Sequence, residues 1–441
     1  MFLRRSVAAL AAATALCAVT APGASALASS GSASKSGPDS LSQALAAATA
    51  KGKKLPNGLY GEADPKFDGV WRQSIALLAQ DAAGAKPAAS AVDWLAGQQC
   101  ADGSFTAYRA DTGTACDAKK TPGDTNATAV AVQAFSAVGG RSDEVRESLG
   151  WLRSVQNRDG GWGYNPGSPT DANSASVVAG AYAAAGEKPQ KIRKEGKSPY
   201  DALAGLQLGC DAEADSRGAF AYQPDKKGKL AANDDATAAA ALAGTGSGLL
   251  TRSHGEDGGS GKHRPLKPLD CGKGAGERPA TPQQSADAGA AHLASVLDRN
   301  GHHLKAVTPG AEGGPDYGNT ADAVIALAAG GHHAEAKKSL NWLAGELGSW
   351  DKSKNDPAAI GGVMLAVHAT GGDPATLKGE KLLERLNSTG PKPAQMPGSS
   401  KATGSEDKDS TVLTWSLVGA GLAAGAGVGF LLSGRRKRQG L

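Results

Sequence analysis

Aromatic side chains make up only 5% of this 441-residue sequence, and Met occupies only three positions. A core must then be filled by small residues, and long Ala runs and 61 glycines supply them. A β-sandwich, which leans on β-branched and aromatic side chains, is excluded on those grounds. Charge is also scarce, at 20%, and its balance of +4 misleads. Arg4 and Arg5 stand in an N-terminal leader, and Arg435, Arg436, Lys437 and Arg438 in a C-terminal tail, with no acid in either. Setting those six cations aside leaves a net −2 for the remainder. Such a body has no electrostatic footprint for nucleic acid, and no nucleic-acid partner is expected. Metal-ligand spacing is missing as well. The adjacent pairs His302–His303 and His332–His333 have no Cys or Glu placed to complete a site, so they read as solvated loop residues and no metal is expected.

What is present first concerns location. Two arginines, a short apolar stretch over residues 7–19 and the small-residue run Ala24-Ser25-Ala26 compose a secretory signal peptide over residues 1–26. Residues 412–432 carry no charge, and at ~1.5 Å rise each they reach ~31 Å, the thickness of a bilayer core. The cationic tail at residues 433–441 places the C-terminus in the cytoplasm. Residues 389–411, with Pro391, Pro393 and Pro397, read as a flexible stalk. The expectation is an exported protein held in the cell membrane by one C-terminal helix. Removing the leader also removes Cys17, leaving Cys100, Cys116, Cys210 and Cys271, an even number that suggests two disulfides. Three pairings are open. Cys100–Cys116 with Cys210–Cys271 is preferred, because each pair staples one loop excursion.

Two patterns alternate between these ends. One is an amphipathic run closing in a Gly-centred turn: Gln99-Cys100-Ala101-Asp102-Gly103-Ser104-Phe105, then Gln156-Asn157-Arg158-Asp159-Gly160-Gly161-Trp162. The other is a polar cluster opening an Ala-rich helix, as at Asp124-Thr125-Asn126, Asp171-Ala172-Asn173, Asn233-Asp234-Asp235 and Asn319-Thr320-Ala321-Asp322. A period of about 50 residues fits one helical hairpin. Six hairpins follow, starting near Asp39, Lys86, Ser142, Pro199, Pro282 and His332, each with an amphipathic helix first and an apolar one second. A helix apolar on all sides must be buried. The predicted fold is therefore all-α, an (α/α)6 toroid over residues 39–388 with a Gly-rich surface loop at residues 244–281.

The two Gln-x-x-Asp-Gly-x-aromatic turns resemble the repeat signature of the terpenoid cyclase and protein prenyltransferase superfamily. That scaffold hosts several activities, so fold alone does not fix function. A class II cyclase needs a D-x-D-D motif, and Ala232-Asn233-Asp234-Asp235 supplies all but its first Asp; an enzyme of this type would use Asp234 as the acid beside Asp235, acting on an isoprenoid. A prenyltransferase zinc site and a thioester motif are not completed by Asp270-Cys271-Gly272-Lys273. Asp-headed Ala-rich helices, export and disulfides are closest in character to the α-domain of the transcobalamin and intrinsic factor family. That resemblance implies a non-enzymatic receptor for cobalamin or another bulky small molecule, needing no cofactor, with a second chain completing the site.

The acidic helix starts Asp124, Asp171, Asp235 and Asp316 are N-caps by default. If the apolar helices run parallel, these caps gather at one mouth with the aromatic turns. The expected ligand face is Asp124, Thr125, Asn126, Trp162, Tyr164, Asp171, Asn173, Tyr222, Asp234, Asp235, Asp316 and Tyr317.

Overall fold

Six apolar segments, five of them opened by a side chain that caps the helix, become the inner layer of the molecule. The computed structural model describes residues 56–398, apart from 118, 252–263, 273–277 and 308–311. The inner helices are α1 (Gly69–Ala82), α3 (Thr125–Val138), α5 (Ala172–Ala184), α7 (Asp234–Gly244), α9 (Tyr317–Ala329) and α12 (Pro357–Ala369). Asp124, Asp171, Asn233, Asp316 and Asp356 each accept a backbone N–H of the helix they open. The outer helices are α2 (Ala89–Gly97), α4 (Ser142–Ser154), α6 (Pro199–Leu206), α8 (Pro282–Arg299), α10 (His333–Glu346) and α13 (Leu382–Ser388), with a single-turn α11 (Lys352–Asn355) between α10 and α12.

Each inner helix packs on the next, in the order α1, α3, α5, α7, α9, α12, and α12 packs back on α1. This helical repeat arrangement is consistent with an α/α toroid. Small side chains let the helices approach: a Cβ on Gly361 of α12 would lie 2.7 Å from Ile75 Cγ2 of α1. Outside, α4 shows the amphipathic logic, burying Ser148, Leu149, Trp151 and Leu152 while Arg146 pairs with Asp143 in solvent. The exception is α8, buried from Ala286 to Leu297 except at Ser295 and covered in part by Arg264, which reaches Asp287 and the 330–331 turn.

The structure changes four expectations. Among the outer helices, each inner helix packs most on the one that follows it, so the hairpins run apolar-then-amphipathic and α13 completes the sixth; the helix expected near Asp39 lies outside the described residues. The packed body does not stop at residue 388. Gly61 N–H donates to Thr389 O, the Tyr60 hydroxyl to Pro391 O, and Lys86 pairs with Gln395, so residues 389–395 are pinned rather than a free stalk. The start of the 244–281 loop enters the ring, as described below. One two-residue ladder, Leu304–Lys305 antiparallel to Pro315–Asp316, interrupts the all-α pattern. Among the described residues no helix is long and apolar enough to cross a membrane, and residues 1–26 and 412–432 lie outside them.

The repeat signature has a mechanical meaning. The residue ending the Gly-centred turn docks its backbone on the next inner helix: Asp124 N–H donates to Phe105 O, Asp171 N–H to Trp162 O, and Asn233 N–H to Phe220 O. In return Phe105 N–H and Phe220 N–H donate to the hydroxyls of Thr128 and Thr237, each at 2.9 Å. Thr128→Val leaves the buried Phe105 N–H without an acceptor. The expected cost is ~1–3 kcal/mol, read as a lower urea midpoint at unchanged slope.

Candidate functional site: an acidic central cavity

The converging first turns of α3, α5, α7 and α9 open into a cavity of about 310 Å³. Position two after each cap supplies Asn126, Asn173 and Asp235, and Asn319 and Asp322 come from α9; Trp71 of α1 closes one side. Backbone from the predicted surface loop forms part of the lining opposite. Gln133 Oε1 accepts the Leu249 N–H at 2.8 Å, its Nε2 donates to Val177 O, and the turn at Ser247, Gly248 and Leu249 is held inside the ring. A Cβ at 248 would meet Gln133 Oε1 at 2.5 Å, so a larger residue there would displace the amide that holds the turn.

The electrostatics of this space are one-sided. Asp322 and Asp235 both line it, and among the described residues no Lys, Arg or His does. Burial raises the Asp235 carboxyl above its usual range, further aided by Asp316 and Asp171, while a 2.6 Å hydrogen bond from Asn173 Nδ2 opposes the rise. Asp322 goes further. Burial first, then the charges of Asp235 and Asp316, push it up to about 7. By area Asp322 is only partly buried, because it borders the open cavity. Three of the lining residues each carry a buried polar atom with no hydrogen-bond partner: Asn126 Oδ1, Asn173 Oδ1 and Ser176 Oγ. Such atoms each cost free energy unless something meets them.

The predicted ligand face divides against this geometry. Asn126, Asn173 and Asp235 line the cavity. Asp124, Asp171 and Asp316 stand one step behind as caps, with Asp316 also accepting from the Asn319 amide. Burial raises the Asp124 and Asp171 carboxyls, against hydrogen bonds to the former from Tyr164 and the Ala127 N–H. Thr125 is buried, its N–H on Tyr164 O. Tyr164 and Tyr222 are 45% and 43% exposed, and their carbonyls accept from Thr125 and Ala172 at the starts of α3 and α5.

Three further members lie outside the cavity lining and make contacts elsewhere. Trp162 is fully buried, its indole N–H on Leu152 O, because the turn must insert a large side chain between α4 and α5. Tyr317 stacks on Trp342 and Trp350. Asp234, the candidate acid, turns away to meet His292 Nε2 of α8 at 3.3 Å, since adjacent helix positions point in different directions. The histidines also differ from expectation: His332 is 1% exposed with Nδ1 against Arg264 O, and His303 stacks on Trp342. Sequence reasoning missed Asp322, Ser176, Gln133 and Trp71. The available signal for Asp322 was a lone charge within a helix otherwise apolar beyond its first turn.

Both disulfides form as preferred, Cys100–Cys116 and Cys210–Cys271. They indicate an oxidising compartment. Among the described residues, no group of three or more His, Cys, Asp or Glu side chains is placed to hold a metal ion.

The chain matches no protein-family model and no curated protein. Among solved structures it is similar to a sugar epimerase from a ruminal bacterium, at 14% identity over 68% of this chain and 82% of that one, with a TM-score of 0.41. It is also similar to a protein from Actinoplanes, at 16% identity over 67% of this chain and 99% of that one, with a TM-score of 0.31. At such scores neither lends weight to a functional reading, which rests on the cavity itself.

Proposed function

We propose that the protein is an exported ligand-binding protein on an (α/α)6 toroid, anchored to the cell membrane by residues 412–432 and performing no chemistry of its own. The observation that carries this reading is the central cavity with unmet buried polar groups around two carboxylates. Its volume stands at the lower end of the ~300–1,000 Å³ typical of small-molecule sites. Disulfides support export, as expected of a surface receptor.

Cobalamin remains a second reading, favoured by the exposed rings of Tyr164 and Tyr222 next to the starts of α3 and α5. A corrinoid is too bulky for the cavity and would rest above it, covered by a second protein chain. An isoprenoid cyclase has less support: Asp234 faces His292, and among the described residues Trp71 is the one aromatic of the lining, too few rings to shelter a carbocation.

Ala239 lines the cavity without offering a polar group, so Ala239→Phe fills the space and leaves the hydrogen bonds intact. Calorimetric titration of the full-length protein with cobalamin and with small polar compounds should give micromolar binding of a small compound that Ala239→Phe abolishes. Binding unchanged in that variant would remove the cavity as the site, and cobalamin binding unchanged in it would favour the rim.

A further inference from the structure

The lining of the cavity says what kind of occupant it would take. Asp322 accepts no hydrogen bond among the described residues, and Asp235 accepts one, from Asn173. Asn126 Oδ1 and Asn173 Oδ1 are further acceptors without donors, and the Ser176 hydroxyl, on a residue only 4% exposed, is wholly unmet. The deficit is of donors and of positive charge. An anion would meet two carboxylates with no cation among the described lining residues to offset them. A neutral polyol would satisfy some acceptors and leave the charge uncompensated.

We propose that the cavity binds a small organic cation carrying N–H donors, of the primary amine class, with Asp322 as its counter-ion and Asp235, Asn126, Asn173 and Ser176 taking its hydrogen bonds. The proposal rests on the cavity being the ligand site. Trp71 is the aromatic residue of the described lining that an ammonium would meet. The amides and hydroxyl supply neutral acceptors, so the occupant need carry no more charge than the carboxylates offset.

Ligand binding and Asp322 ionisation are then linked. The charges acting on Asp322 are Asp235 of α7 and Asp316 at the head of α9. The other helices packed on α9 carry their charged groups elsewhere. Asp356 caps α12 and His368 at its far end meets Thr251 O; His292 of α8 meets Asp234; Lys337 and Lys338 of α10 are exposed, as is Lys305 of the ladder. None of these lines the cavity. A carboxyl titrating near 7 is roughly one-tenth ionised at pH 6 and nine-tenths at pH 8, so amine affinity should rise about tenfold between them.

The test uses the full-length protein and four probes: putrescine, its neutral and anionic counterparts 1,4-butanediol and succinate, and glucose. Putrescine keeps its charge across this pH range, so the pH dependence reports the protein. The expected result is calorimetric binding of putrescine alone, about tenfold tighter at pH 8 than at pH 6. Asp322→Asn should remove that pH dependence and weaken binding at pH 8 at least tenfold, with its melting temperature confirming that it folds. Tighter binding of glucose, butanediol or succinate, lost in Ala239→Phe, would overturn the cation while leaving the cavity as a binding site. Putrescine binding that survives Ala239→Phe would overturn the cavity itself. No heat from putrescine at millimolar concentration would overturn the amine class.

Discussion

Asp322→Asn is expected to make the protein more stable at pH 8 by up to about 4 kcal/mol, and to change it little at pH 4. The carboxyl rises from an ordinary 3.8 to about 7 in the folded chain, roughly three pH units at 1.36 kcal/mol each. The sign follows from proton counting. Between those two values the native state holds a proton that the unfolded chain has released, so stability falls as pH rises from about 4 to about 7 and is level above. Asn keeps the shape of the protonated acid and never ionises. It also relieves Asp235, whose own carboxyl is raised by burial and by its acidic neighbours. Melting temperatures of the two proteins at pH 4, 6 and 8 check this. Equal stability at pH 8 would mean that the Asp322 carboxylate is solvated or paired there. A stabilising substitution that destroys binding is what a site kept for function predicts, since charge held without a partner is retained only for what it recognises.

Loss of the Cys210–Cys271 bond should cost more than loss of Cys100–Cys116. The former spans 61 residues and encloses α7, with Asp235 on it and the 247–249 turn; the latter spans 16. Loop-closure entropy puts the two at ~4 and ~3 kcal/mol. Paired Cys→Ala variants, compared by urea denaturation, should keep that order. A reversed order would mean that the long excursion is already restrained by its packing, for instance by Gln133 gripping Leu249 or Arg264 gripping the 330–331 turn. Because residues 247–249 form part of the cavity lining, the longer disulfide should also affect ligand affinity, and the shorter one should not.

Much of the helix layer was legible because its causes are local. Asp124 and Asp171 announce helix starts, and each does accept an N–H three residues on. The Gly-centred turns and the Ala-rich runs mark which helices are exposed and which are buried. The phase of the hairpins was misread. Sequence order pairs a helix equally well with the neighbour before or after it, and only the packing of α1 on α2, and of α12 on α13, decides between them. Trp162 was misplaced for a related reason. An aromatic residue in a turn reads as a mouth residue, but burying an indole is favourable wherever Leu152 O offers its N–H an acceptor.

The sequence by itself determined the helical class, the alternation of apolar and amphipathic helices and the capping carboxylates, because each depends on neighbours along the chain, whereas it left three disulfide pairings open. The tertiary structure alone decided that Asn126, Asn173, Asp235 and Asp322 share one cavity, that Asp234 does not, and that a glycine-rich loop lines it. These follow from where helices far apart in the chain meet, and a residue's direction around a packed ring is fixed by its partners rather than by its own segment.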